Sequence, residues 1–217
     1  MVLKLSELLV ILVDKMAIDA VTLSNNINNM MKSVQFSGKS DKNISDAISM
    51  GLFTYLKTPN LISFQLSGTA GPIGSVTSIT YVGIVPSVMS NLIRFKAPFT
   101  GKSWKNMCDA ISNGIAMTFQ TSSISGTTVG IALGGGIGRF SNMVTSDLVN
   151  RIKATASFKS ILGSKKDQLV DAVAFGICTH FKTSVTVTAT VTGAIAPTPP
   201  TGPVAVTAMP TVYNIII

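Results

Sequence analysis

Asp46-Ala47-Ile48-Ser49-Met50-Gly51-Leu52-Phe53-Thr54-Tyr55-Leu56-Lys57-Thr58 aligns without gaps to two later stretches. They are Asp109-Ala110-Ile111-Ser112-Asn113-Gly114-Ile115-Ala116-Met117-Thr118-Phe119-Gln120-Thr121 and Asp171-Ala172-Val173-Ala174-Phe175-Gly176-Ile177-Cys178-Thr179-His180-Phe181-Lys182-Thr183. The spacings are 63 and 62 residues, and Asp, Ala, Gly and the closing Thr are identical in every copy. Upstream, Phe36 and Phe99 keep the 63-residue offset, as do Gly38 and Gly101, with Gly163 as the third turn glycine. The chain is a threefold internal repeat. A unit of this size buries only a marginal core alone, so the three units must lean on one another, on a partner, or on both.

Within each copy the apolar residues follow a helical period. Ile44, Ile48, Leu52, Tyr55 and Leu56 make one stripe in the first copy, and its counterparts recur in the others. Ser40 stands where a cap belongs and Asp41 adds negative charge to the first turn. A shorter helical pattern precedes each repeat helix: Leu23 to Val34, Ser90 to Phe95 and Val144 to Ala156. Runs of β type follow: Leu61 to Leu66 and Ser75 to Val85 around the turn Gly68 to Gly74, then Ser122 to Leu133 with a turn at Gly134 to Gly138. The third copy has the alternating Val/Thr run Ser184 to Thr192, the proline-rich turn Pro197 to Pro203 and a second strand, Val204 to Met209.

The expected fold class is therefore α+β: three tandem repeats of about 62 residues, each helix-helix-β-hairpin, with an extra N-terminal helix. The expected divisions are an N-terminal helix at 1–22, units at 23–85 and 86–140, and a third unit with its C-terminal strand and tail at 141–217.

Gly51, Gly114 and Gly176 each cost a helix about 1 kcal/mol relative to alanine. Their recurrence points to close crossings with another helix. Trp104, the only tryptophan, matches Asp41 in the first unit and is read as an interface anchor or a core filler. The terminal Tyr213-Asn214-Ile215-Ile216-Ile217 is an edge-pairing hazard unless it docks. Tyr213, Ile215, Ile216 and Ile217 are therefore expected to be captured by a partner sheet or groove.

No constellation of catalytic residues stands out. Gly38-Lys39-Ser40 and Gly101-Lys102-Ser103 resemble the end of a phosphate loop, but the upstream glycine is absent and no strand leads in. Asp46, Asp109 and Asp171 could gather a cation around a threefold axis, although carboxylates near helix starts are explained by the dipole alone. His180, the only histidine, has no positioned acid or nucleophile in the pattern and is read as a helix-surface residue. Cys108 and Cys178 fall at non-equivalent helical positions and read as small core residues. No catalytic, cofactor-binding or metal residues are assigned.

Hydrophobic residues make up 46% and charged residues 12%, about half the usual charged share. Such a surface is expected to be covered in the working state, and since no run reaches the length of a membrane span, the cover is expected to be protein. The net charge of +8 is scattered, with Lys165-Lys166 the only adjacent pair.

Three imperfect copies of a helix ending in a Phe-Lys-Thr type sequence, then Thr/Val/Gly-rich strands and a proline-rich segment, resemble small virion structural proteins of tailed bacteriophages. Asp46 to Leu66, Asp109 to Leu133 and Asp171 to Ile195 carry the likeness. It implies a place in a capsid, neck, tail or baseplate, in a virion assembled in the host cytoplasm. The expected function is a non-enzymatic structural subunit that oligomerises with other virion proteins. The alternative is a basic nucleic-acid-binding module contacting packaged DNA. A hydrolase would need converging carboxylates that the nine acidic residues do not display.

Overall fold

Each copy of the repeat is a long helix preceded by a shorter one, and the six helices form a closed ring. The computed structural model describes residues 19–35, 40–58, 63–82, 84–122, 124–130, 133–192 and 204–210, with side chains over 19–35, 40–58, 84–122 and 140–185. The expected N-terminal helix lies outside the described residues up to 18, as do Tyr213, Ile215, Ile216 and Ile217.

The first unit contributes α1 (Ala20–Ser33) and α2 (Asp41–Lys57). The second contributes α3 (Pro86–Lys96) and α4 (Lys102–Thr121). The third contributes α5 (Thr145–Ala154), the single turn α6 (Ala156–Lys159) and α7 (Lys166–Thr183). Asp19 caps α1 by accepting the Val21 N–H at 2.8 Å, which satisfies one of the orphan donors of the first turn. Leu23, Ile27 and Met31, four residues apart, form the buried stripe of α1, and its asparagines face outward. Ser40 occupies the N-cap of α2 but makes no side-chain cap bond. Gly101 and Gly163 have φ of +131° and +143°, a left-handed conformation open to glycine, and this turns the chain into α4 and towards α7.

Neighbours around the ring run α1, α2, α3, α4, α5, α7 and back to α1. The repeat helices α2, α4 and α7 stand inside, while α1, α3 and α5 wedge between them. The inner helices run in the same direction. Ile44, Met107 and Leu169, equivalent residues near their starts, line one cavity, and Phe119 and Phe181, equivalent near their ends, lie 5.2 Å apart between ring centroids. Phe140 completes that aromatic cluster. Ile48, Ile111 and Val173 fill the middle of the core.

Strands leave the ring from the C-terminal ends of the inner helices. They are β1 (Ser63–Val82), β2 (Ile124–Gly130), β3 (Leu133–Phe140), β4 (Thr186–Thr192) and β5 (Val204–Pro210). They form one antiparallel sheet in the order β4-β3-β2-β1-β5.

The expected α+β class with a hairpin in every unit is overturned. Where side chains are described, 78% of residues are helical, in seven helices, and the body of the protein is a helical ring. The strands do not make three self-contained hairpins. In the first unit β1 is one 20-residue strand with a register shift between Gly71 and Gly74, around Pro72, which has no N–H to give a ladder. Its first half pairs with β5 and its second half with β2. In the third unit β4 pairs with β3 of the second, not with β5. Gly134 to Gly138, expected as a turn, lies within β3, the strand between β2 and β4. Only β2 and β3 pair as neighbours in one unit. Closure of the ring is the physical reason: all arms issue from the same end, so strands of adjacent units lie side by side and pair across units.

Candidate functional site: the ring seams and the axial cavity

Three seams hold one unit to the next, and each is built on a repeat glycine. A Cβ on Gly51 would lie 2.5 Å from Ile93 Cα. One on Gly114 would lie 3.2 Å from Ile152 Cα, and one on Gly176 would lie 2.9 Å from Ile27 Cα. Each glycine therefore admits the backbone of the next unit's outer helix, and the third returns to the first unit. This cyclic order is what closes the ring. Ile27 and Ile152 both stand 19 residues before the repeat aspartate, on the apolar faces of their helices, whereas Ile93 stands 16 before it, so the register of the outer helices is broken in the second unit.

The repeat aspartates bind each inner helix to its own outer helix. Ser24 and Lys42 both bond to Asp46, and Ser90 and Lys105 both bond to Asp109. The third unit reaches the same result by exchange: Val149 replaces the serine, Asp167 replaces the lysine, and Lys153 of α5 bridges Asp167 and Asp171 at 3.1 Å each. Burial alone would raise the Asp46 carboxyl, but hydrogen bonds from Lys42 and Ser24 outweigh it and hold the group below its ordinary value. Asp109 is lowered in the same way: Lys105 and Ser90 overcome burial. These carboxylates are taken up by the outer helices and do not meet on the axis. Among the described residues no cluster of three His, Cys, Asp or Glu side chains is placed to hold a metal.

At the N-terminal ends of the inner helices the axis opens into a cavity of about 350 Å³. Its floor is Ile44, Met107 and Leu169, and its walls include Phe99, Trp104 and Ile161. Trp104 packs edge-on against Phe99 at 5.3 Å, and its Nε1 is buried without a hydrogen-bond partner among the described residues. Lys166, also in the wall, donates to the Ile161 carbonyl and lies 4.8 Å over the Phe158 ring. The turn Gly101-Lys102-Ser103 simply starts α4, with Lys102 and Ser103 exposed. The lining is apolar and brings no acid–base pair together.

His180 departs from expectation. It is buried at 1% exposure because it occupies the position of Tyr55, four residues after the seam glycine on the inward stripe. Alignment with buried Tyr55 was the available signal. Cys108 and Cys178 are buried free thiols. Burial, helped by the Asp109 charge, pushes Cys108 up to about 12. Cys178 is also raised, again chiefly by burial.

No family model, curated protein or solved structure matches this chain. No helix among the described residues is long and apolar enough to cross a membrane.

Proposed function

We propose that this chain is a non-enzymatic structural subunit of an assembled particle, of the bacteriophage virion kind, formed in the host cytoplasm and joined to neighbouring virion proteins through its sheet end. The observation that carries the proposal is the pairing of the arms. Strands from all three units leave one end of a closed ring and join in a single sheet, with β4 and β5 at the ends of the order. An end strand presents unpaired backbone groups to another chain. The low charged fraction agrees with a surface that is covered in use. The apolar cavity and the paired aspartates offer nothing for acid–base or nucleophilic chemistry.

The test is the oligomeric state of the full chain by mass photometry, alone and with co-expressed particle proteins. Proline at Thr188 in β4, which removes a ladder N–H, and deletion of residues 213–217 should each impair assembly while leaving the helical circular dichroism intact. A chain that stays monomeric with every partner, or assembles equally well with both changes, would sink the proposal.

A second reading, contact with packaged nucleic acid, is favoured by charge placement. Lys32, Lys96, Lys102 and Lys159 are exposed near the end of the ring opposite the sheet, and none forms an ion pair among the described residues. The readings separate on salt. Phosphate contacts weaken steeply as salt rises, whereas assembly through strands and apolar surface does not.

A further inference from the structure

The three seams are not equally satisfied, and the difference centres on one side chain. In the seam between α2 and α3, the Tyr55 hydroxyl accepts the Val85 N–H at 2.8 Å, and Val85 is the N-cap residue of α3. In the seam between α4 and α5, the equivalent Thr118 donates to the Gly114 carbonyl within its own helix. In the seam between α7 and α1 the position is His180, and neither Nδ1 nor Nε2 has a hydrogen-bond partner among the described residues. The counterpart of Val85 there is Asp19, the N-cap residue of α1. Its carboxylate is engaged locally, accepting from Val21 N and Thr22 Oγ1. This is also the one seam between the first and last units, which are joined at the sheet end by the pairing of β5 with β1. At the level of the helices it is held by the crossing of Gly176 with Ile27, the buried stripe of α1 and a bond from Lys165 Nζ to the Gln35 carbonyl at 3.0 Å.

We propose that His180 is a proton-sensitive latch: taking up a proton releases α1 from α7 while the other two seams stay closed. A neutral imidazole fits this dry position at the cost of unmade hydrogen bonds, but an imidazolium there lacks both water and a partner. The charged groups around the seam do not rescue it. Asp19 of α1 favours the protonated form, yet burial outweighs it and holds the imidazole below its ordinary value. Asp147 of α5 and Lys182 of α7 act on Cys178, two residues away. The released state binds the proton more tightly than the closed one. The closed seam therefore keeps its full stability above about pH 6.5. It weakens as pH falls from there through the lowered folded value, by up to about tenfold in the closing equilibrium per pH unit.

His180 is the chain's only histidine, so its titration is read without ambiguity by NMR of the imidazole in the unaltered protein. A midpoint below 6.5 is expected, and one at or above 6.5 would overturn the latch. Hydrogen exchange, corrected for intrinsic rates, should show protection of residues 20–33 and 166–183 falling at least tenfold more than that of residues 41–57 and 102–121 between pH 7.5 and 5. Uniform loss over all helices, or none, would overturn it. His180→Tyr, which installs the side chain used in the first unit, should abolish the selective loss. If it folds and the acid response persists, His180 is not the latch.

Discussion

A methyl group on Gly51 tests the seams where backbone approaches backbone most closely. The added Cβ would stand 2.5 Å from Ile93 Cα and 2.6 Å from Ile93 N. Ordinary carbon contact begins near 3.5 Å, so α2 and α3 must part by about 1 Å, because backbone atoms have no rotamer to escape into. Overpacking of this kind costs about 1–3 kcal/mol, while alanine returns about 1 kcal/mol of helix propensity. Gly51→Ala should therefore lower stability by up to about 2 kcal/mol, a fall in Tm of about 2–4 °C per kcal/mol for a chain of this size. Calorimetry and urea unfolding would measure it, with exposed Asn29→Ala as a control that should be neutral or slightly stabilising. The contacts also predict a contrast between seams. At Gly114 the nearest atom is the Ile152 Cγ1, with Ile152 backbone at 3.1–3.2 Å, so in a double-mutant cycle Gly114→Ala should cost less in an Ile152→Ala background than in the unaltered chain. Gly51→Ala should cost nearly as much in an Ile93→Ala background, since the obstruction there is backbone. Raised stability in both alanine variants, as propensity alone predicts, would refute the close crossings.

Three further outcomes follow from single contacts. Tyr55→Phe strands the Val85 N–H and should cost about 1–3 kcal/mol in urea unfolding, with no change in fold by circular dichroism. Cys108, with its thiol pushed up to about 12, and the likewise raised and buried Cys178 should resist a disulfide-exchange reagent at pH 8 in the folded chain and react promptly in denaturant. Gln35 holds a φ of +57°, an unfavourable conformation for a side-chain-bearing residue. Gln35→Gly should raise stability by up to about 1 kcal/mol, provided the Lys165 bond to the carbonyl at 35 persists.

Both helices of each unit were legible in the sequence, and their meeting across the seams was not. Gly51, Gly114 and Gly176 stand in register inside an ungapped repeat, and a glycine that costs helix stability three times over has to meet something. What they meet lay beyond reach, because each glycine crosses the outer helix of another unit, and the second unit's Ile93 stands 16 residues before its repeat aspartate where Ile27 and Ile152 stand 19 before theirs. His180 was misplaced because a lone histidine was weighed by its chemistry and not by its partner in alignment, buried Tyr55. The strands were located only in part, since the expected turns Gly68 to Gly74 and Gly134 to Gly138 lie within β1 and β3, and they were wrongly paired. Local turn signals such as Gly134 to Gly138 mark a hairpin only when a strand's neighbour comes from its own unit, and closure of the ring brings other units' strands nearer. The exchange of Ser and Lys for Val149, Asp167 and Lys153 in the third unit shows the same dependence: one interaction is kept with different residues, which no position-by-position reading detects.

Electron microscopy of particles containing this chain tests the central claim most directly. The account predicts a three-lobed helical ring whose sheet end is continuous with density from neighbouring protein subunits. A ring that stands free of protein neighbours at its sheet end, or is held only by nucleic acid at the opposite end, would contradict it.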